Sequence, residues 1–260
     1  MGVGAYVYCR CWQDGLAIPA PVGPTGFDQD GRLGLLKVWD PSNTDEHRAV
    51  EDWLRHGCPH EDMLLAHEEV GAWAGVRIFQ QTLREAGASN FPRLLSYLPQ
   101  TNDGSIPATE VPAVLAELDY FESRAQLPDK IVLVDEATGD ALYSYIESCR
   151  GVFVWGRDYD LGLDLDGFFV VDKRVDPPVT LFRTVRFEQR VLPGGELEFT
   201  GSGKTVRLEM APIADYLPVS PQRLAVEVRP GSAADFAYLL GVLRRLCTAS
   251  LTTGNPVNWT

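Results

Sequence analysis

Residues 185–210 read VRFEQRVLPGGELEFTGSGKTVRLEM. Two glycine-bearing breaks divide this stretch into three runs that alternate with period two. Val185, Phe187, Gln189 and Val191 face one way, with Arg186, Glu188 and Arg190 opposite. Leu197 and Phe199 then alternate with Glu196, Glu198 and Thr200, and Val206, Leu208 and Met210 alternate with Arg207 and Glu209. Period-two alternation is the signature of a half-buried strand. Pro193-Gly194-Gly195 and Gly201-Ser202-Gly203 supply the connecting turns. The stretch therefore predicts a three-strand antiparallel meander.

Within it, GSGKT (201–205) matches the end of a phosphate-binding loop. The first glycine of such a loop would fall at position 198, which is Glu198, a carboxylate that repels phosphate. The residues that follow alternate as a strand, so no helix N-terminus presents its amides to an anion. GSGKT reads as a hairpin turn.

Outward from the meander, KIVLVDEATGDALYSYI (130–146) predicts another hairpin, turning at Ala137-Thr138-Gly139. GVFVW (151–155) and GFFVVD (167–172) predict further strands. Between them, Asp164, Asp166 and Gly167 sit as in a calcium-binding loop. That register places Gly162 and Lys173 at the terminal ligand positions, so the segment reads instead as a strand with an acidic face. Ser232 and Asp235 resemble a capping box ahead of a closing helix with Phe236, Leu239, Leu240, Leu243 and Leu246 as its apolar stripe. The tail after it reads as irregular.

The first half reads as richer in helix. A strand is expected over 4–12, with Ala5, Val7, Cys9 and Cys11 on one face, then a loop over 16–32 and a strand over 33–39. A helix is expected within PSNTDEHRAVEDWLRHGCPH (41–60), capped by Ser42 or Thr44 and ended by Gly57 in the left-handed position; further helices are expected over 61–86 and 109–124, and a strand over 93–98. The fold class is thus α+β: a helix-rich N-terminal half and an antiparallel β-meander C-terminal half with a closing helix. It is expected as a single domain over 1–260, with a change of character near 127–130.

The chain has 260 residues, 45% of them hydrophobic, and a formal net charge of −13. Such a charge repels nucleic acid and anionic membranes and attracts basic proteins. No apolar run reaches the roughly 20 residues that cross a bilayer, and MGVGAYVYCRCW lacks a secretory signal's layout. A soluble, cytoplasmic protein is expected. There is no G-x-S-x-G elbow and no dinucleotide-binding glycine pattern, and Gly71 stands where a zincin continuing from His67 needs its second histidine. Cys149 or Cys58 paired with a histidine is the remaining arrangement for nucleophilic catalysis. The sequence reads as a binding protein more readily than as an enzyme.

Two constellations stand out. All four histidines lie between His47 and His67, and Cys58 sits among them in His56-Gly57-Cys58-Pro59-His60. With Cys9-x-Cys11 upstream, Cys9, Cys11, Cys58 and His60 form a candidate Cys₃His zinc set, because zinc takes thiolate and imidazole in tetrahedral geometry. The alternative is that Cys9 and Cys11 pack as small hydrophobes. The second constellation is acidic: Asp45, Glu46, Glu51, Asp52, Glu61, Asp62, Glu68 and Glu69, offset by Arg48 and Arg55 alone among nearby Lys and Arg. It is either a surface for a basic protein partner or a solvated face.

The opening YVYCRCWQDG, the CPH after an acidic helix and the closing LCTASLTTGNPVNW resemble an uncharacterised group of soluble bacterial proteins. The resemblance covers the two ends and implies no activity. Size, acidity and α+β make-up also resemble immunity proteins that neutralise polymorphic toxins, which implies a basic toxin as partner. The competing expectation is a metal-stabilised or metal-dependent protein, an enzyme included, built on the Cys/His cluster.

Overall fold

The computed structural model describes residues 2–146 and 151–260. In chain order its elements begin with β1 (Gly2–Tyr8), β2 (Thr25–Phe27), β3 (Leu33–Leu35), α1 (Thr44–His56), β4 (Leu64–Ala72) and α2 (Trp73–Glu85). α3 (Pro92–Tyr97), β5 (Ser105–Ile106) and α4 (Val111–Ser123) complete the first half. There follow β6 (Lys130–Asp135), β7 (Ala141–Ile146), β8 (Gly151–Trp155), β9 (Tyr159–Asp164), β10 (Gly167–Asp172) and β11 (Val179–Thr184). Then come β12 (Arg186–Val191), β13 (Leu197–Gly201), β14 (Lys204–Leu208) and β15 (Arg223–Arg229), before α5 (Ala237–Thr253) and β16 (Val257–Trp259). The fold is α+β, with helices mostly in the first half and antiparallel sheets in the second. Among the described residues no helix is long and apolar enough to cross a membrane. The chain divides into two compact units: residues up to Gln126 together with Ala233–Thr260, and Leu127–Ser232.

In the second unit the meander forms as its alternation predicts. Gln189 lies opposite Phe199, and Phe199 opposite Val206. Gly201 pairs with Lys204, leaving Ser202 and Gly203 as a two-residue turn with φ of 49° and 73°. Both residues are left-handed, the twist that tight hairpins require, and Gly203 adopts it without a Cβ clash. β15, which the sequence reading does not anticipate, sits centrally in the sheet β14-β13-β12-β15-β6-β7. A second sheet, β11-β10-β9-β8, contributes Phe168 and Phe182 to a core shared with Phe187 and Phe199. The Phe168 and Phe187 rings stack with centroids 4.2 Å apart. Gln189 points into this core, and its amide is satisfied by the backbone of Ile213 and Pro221.

The first unit is built on the sheet β4-β1-β16-β5, with α5 packed on β4 and β1. Several local expectations are corrected here. Residues 64–72 form a strand, not part of a helix over 61–86: β4 pairs along β1, with Ala5 opposite Glu68, and the α-helix is confined to Trp73–Glu85. Residues 93–97 fall in a helix, α3, not in a strand over 93–98. Pro92 opens it, and the buried Glu117 carboxylate of α4 accepts from the backbone N–H groups of Arg93 (2.9 Å) and Leu94 (2.8 Å). The strand expected over 33–39 stops at Leu35. Asn43 takes the Val38 carbonyl at 2.9 Å and turns the chain toward α1. The tail is not irregular: β16 lies buried between β1 and β5. β1 ends at Tyr8, because the Asn255 side-chain amide donates to the carbonyls of Tyr8 (2.9 Å) and Cys9 (3.1 Å). Cys9 and Cys11 therefore leave the strand face they were expected to share with Ala5 and Val7.

A candidate metal centre

Four segments meet around the cysteines, all in the first unit. Cys9 follows β1, and its backbone N–H donates to the Met63 carbonyl at 2.8 Å. Cys11 sits in the turn beyond, its carbonyl accepting from Leu16 (2.8 Å) and Ala17 (3.0 Å). Cys58 comes two residues after the end of α1, past Gly57, whose N–H donates to the Trp53 carbonyl at 2.6 Å. Gly57 has φ of −70°, so it is not the left-handed cap expected of it; it is required by close approach. His60 precedes a tight turn in which Asp62 and Met63 both hold positive φ, 52° and 57°. That turn brings the fully buried Met63 back beneath the cysteines. Trp12 and Trp53 meet edge to face at 5.2 Å and close the apolar side, and the Trp53 indole N–H donates to the Ile18 carbonyl.

This scaffold brings the side chains of Cys9, Cys11, Cys58 and His60 together, with their ligand atoms all within 4.8 Å of one another. The Cys9 and Cys58 sulfurs are 3.7 Å apart. His60 Nδ1 lies 3.4 Å from Cys11 Sγ and 3.7 Å from Cys58 Sγ. Zinc–sulfur and zinc–nitrogen bonds of about 2.3 and 2.0 Å at tetrahedral angles put ligand atoms roughly 3.5–3.8 Å apart. The two 3.7 Å pairs fall within that range, and the 3.4 Å pair falls just short of it. All four thiols among the described residues, these three and Cys247, are free.

Burial pushes the Cys9 thiol up to about 12 and raises that of Cys11. Buried, protonated thiols are poor nucleophiles toward substrates from solvent. A cation in their midst favours the deprotonated sulfur that burial disfavours. Three thiols and an imidazole at these distances are a donor set that could hold a metal ion. Cys9 and Cys11 are buried, whereas Cys58 and His60 are half-buried and line a surface recess of about 480 Å³ with Arg55, His56, Pro59, Glu61 and Asp62.

The other histidines stay outside the cluster, among the described residues. His56 Nδ1 is 3.0 Å from the Asp52 carbonyl, and His47 Nε2 is buried without a partner. Cys149, the other thiol considered for catalysis, lies outside the described residues.

The eight acidic residues occupy three elements: Asp45, Glu46, Glu51 and Asp52 on α1, Glu61 and Asp62 in the turn after His60, and Glu68 and Glu69 on β4. Half of them are held internally. Glu46 pairs with Lys37 (2.5 Å), Asp45 with Arg48 (3.5 Å), Asp52 with Arg55 (3.0 Å) and Glu68 with Arg245 (2.7 Å). Among the described residues Glu51, Glu61, Asp62 and Glu69 have no ion pair. In the second unit, Asp164 accepts from Arg183, and Asp160 pairs with Lys173 at 2.7 Å, so both strand carboxylates have cationic partners.

Trp53, Gly57, Met63 and Asn255 frame the centre without any sequence signal of their own. Only their arrangement in the folded chain reveals the role. No protein-family model, no curated protein and no solved structure matches this chain.

Proposed function

We propose that this chain is a metal-stabilised protein in which Cys9, Cys11, Cys58 and His60 hold one structural zinc ion. The observation that carries the reading is the convergence of four suitable ligand atoms within 4.8 Å, from two segments some 50 residues apart. Four protein ligands fill a tetrahedron and leave no position for substrate, which favours a structural over a catalytic role. The metal's contribution is to tie the exit of β1 to the connection between α1 and β4. Thiols kept reduced for ligation accord with a cytoplasmic setting.

The test is metal analysis of protein purified under reducing conditions. About one equivalent of zinc per chain is expected, lost in Cys58→Ser and retained in Cys247→Ser. Cobalt substitution should give the intense absorption of tetrahedral thiolate coordination. Wild-type protein that takes up no stoichiometric zinc or cobalt rules the reading out.

A second reading concerns the acidic surface as a docking face for a basic protein, of the kind an immunity protein offers to a toxin. What favours it is that Glu51, Glu61, Asp62 and Glu69 spend no charge on an internal cation. Titration with the product of a neighbouring gene tests it: tight binding that weakens steeply with salt supports it, and a neighbourhood without any basic partner counts against it.

A further inference from the structure

The same cluster carries a modification site. We infer that Cys9 and Cys58 form an oxidation-sensitive pair, which a hydroperoxide converts to a disulfide with loss of the metal. The inference rests on the zinc reading for its release step alone.

Three observations support it. The Cys9 and Cys58 sulfurs are in van der Waals contact at 3.7 Å but unbonded, since a disulfide holds its sulfurs at about 2.05 Å. Their access is unequal: Cys58 is half-buried and opens onto the recess beside His60, whereas Cys9 is 3% exposed. Their sequence separation also matters. A Cys9–Cys58 link closes a long loop, which favours the folded chain, while a Cys9–Cys11 link closes a ring too short to form without strain.

The order of events follows from that access. The Cys58 sulfur attacks the outer peroxide oxygen, the O–O bond breaks, and one alcohol (water, from hydrogen peroxide) leaves with Cys58 as the sulfenic acid. The Cys9 sulfur then attacks the Cys58 sulfur, the S–O bond breaks, and a water leaves as the disulfide forms. Two thiols are oxidised and one peroxide is reduced; from metal-bound thiolates the same sequence takes up two protons from solvent. Cys11 and His60 remain as two ligands, too few to hold zinc.

The experiment treats the purified full-length chain with hydrogen peroxide, blocks residual thiols, and maps cross-linked peptides by mass spectrometry while a chromogenic chelator reads released zinc. A Cys9–Cys58 peptide pair is expected, appearing in step with zinc release. Cys9→Ser should leave Cys58 as a sulfenic acid that dimedone captures, and Cys11→Ser should still form the link. A Cys9–Cys11 pair, or an over-oxidised Cys58 with no link in wild-type protein, overturns the inference. The wild-type map needs no variant, so a misfolded substitution does not blur the result. Metal-free protein that forms the link upholds the pair and refutes the zinc reading; metal-bearing protein that does not form it does the reverse.

Discussion

A β-carbon at position 57 would stand 2.1 Å from Met63 Cε, 2.8 Å from the Trp53 carbonyl and 2.9 Å from the Trp53 indole nitrogen. Glycine is required there although its φ suits any residue. The end of α1 and the turn below it are pressed together at this point, one residue from Cys58.

Gly57→Ala should therefore destabilise the chain by about 1–3 kcal/mol, the usual cost of overpacking, and should loosen the cysteine cluster with it. Urea denaturation and zinc affinity measured on the same preparation check both effects. Unchanged stability would mean that Met63 and the end of α1 both shift without cost.

Glu117 is the only cap available to the first amides of α3 among the described residues, and it reaches them from α4. Glu117→Ala leaves the buried Leu94 donor and the partly buried Arg93 donor unpaired, for a loss of about 2–3 kcal/mol. Glu117→Gln keeps one acceptor and should lose less. If the two variants are equally stable by thermal unfolding, the cap is not what holds α3 to α4.

Asp172 is buried at the end of β10 and accepts from both the backbone and the guanidinium of Arg174 (2.8 Å at its closest), which hold its carboxyl below the usual carboxylate range. A depressed folded value stabilises the fold above the unfolded carboxyl's value, about 3.9, and that stability is lost as pH falls through the folded value. Wild-type protein should thus exceed Asp172→Asn in stability at pH 7, with the gap closing below about pH 4. A gap that stays constant down to pH 2 would show that the loss comes from packing.

The parts of this fold that can be read locally are those where one strand or helix carries its own pattern. Phe187, Phe199 and Val206 announce their strands by alternation, and the Gly201–Gly203 turn needs only its own residues. Val76, Phe79 and Leu83 likewise place α2. Three of the misreadings involve a distant partner. RLLSYL is apolar enough for a strand, and becomes a helix because Glu117, some 23 residues away, caps it. LLAHEEVGA carries a weak pattern that pairing with β1 resolves. Val257–Trp259 follow Pro256 in a turn-rich tail, and only the gap between β1 and β5 makes them a strand. The convergence of Cys9, Cys11, Cys58 and His60 was legible because cysteine and histidine are scarce and chemically specific, so their identities single them out before any geometry is known. The acidic set was not resolved in the same way, since carboxylates are common and only the folded chain shows which ones Lys37, Arg48, Arg55 and Arg245 already engage.

β16 joins β1 to β5, so the first unit's sheet has a hole in it until residues 257–259 exist. During synthesis, β1 can pair with β4 early, but its other edge stays open until Val257–Trp259 arrive, whereas the second unit draws on one contiguous stretch, Leu127–Ser232. Until then the facing edges of β1 and β5 are unpaired backbone, the kind of edge that recruits a strand from another chain.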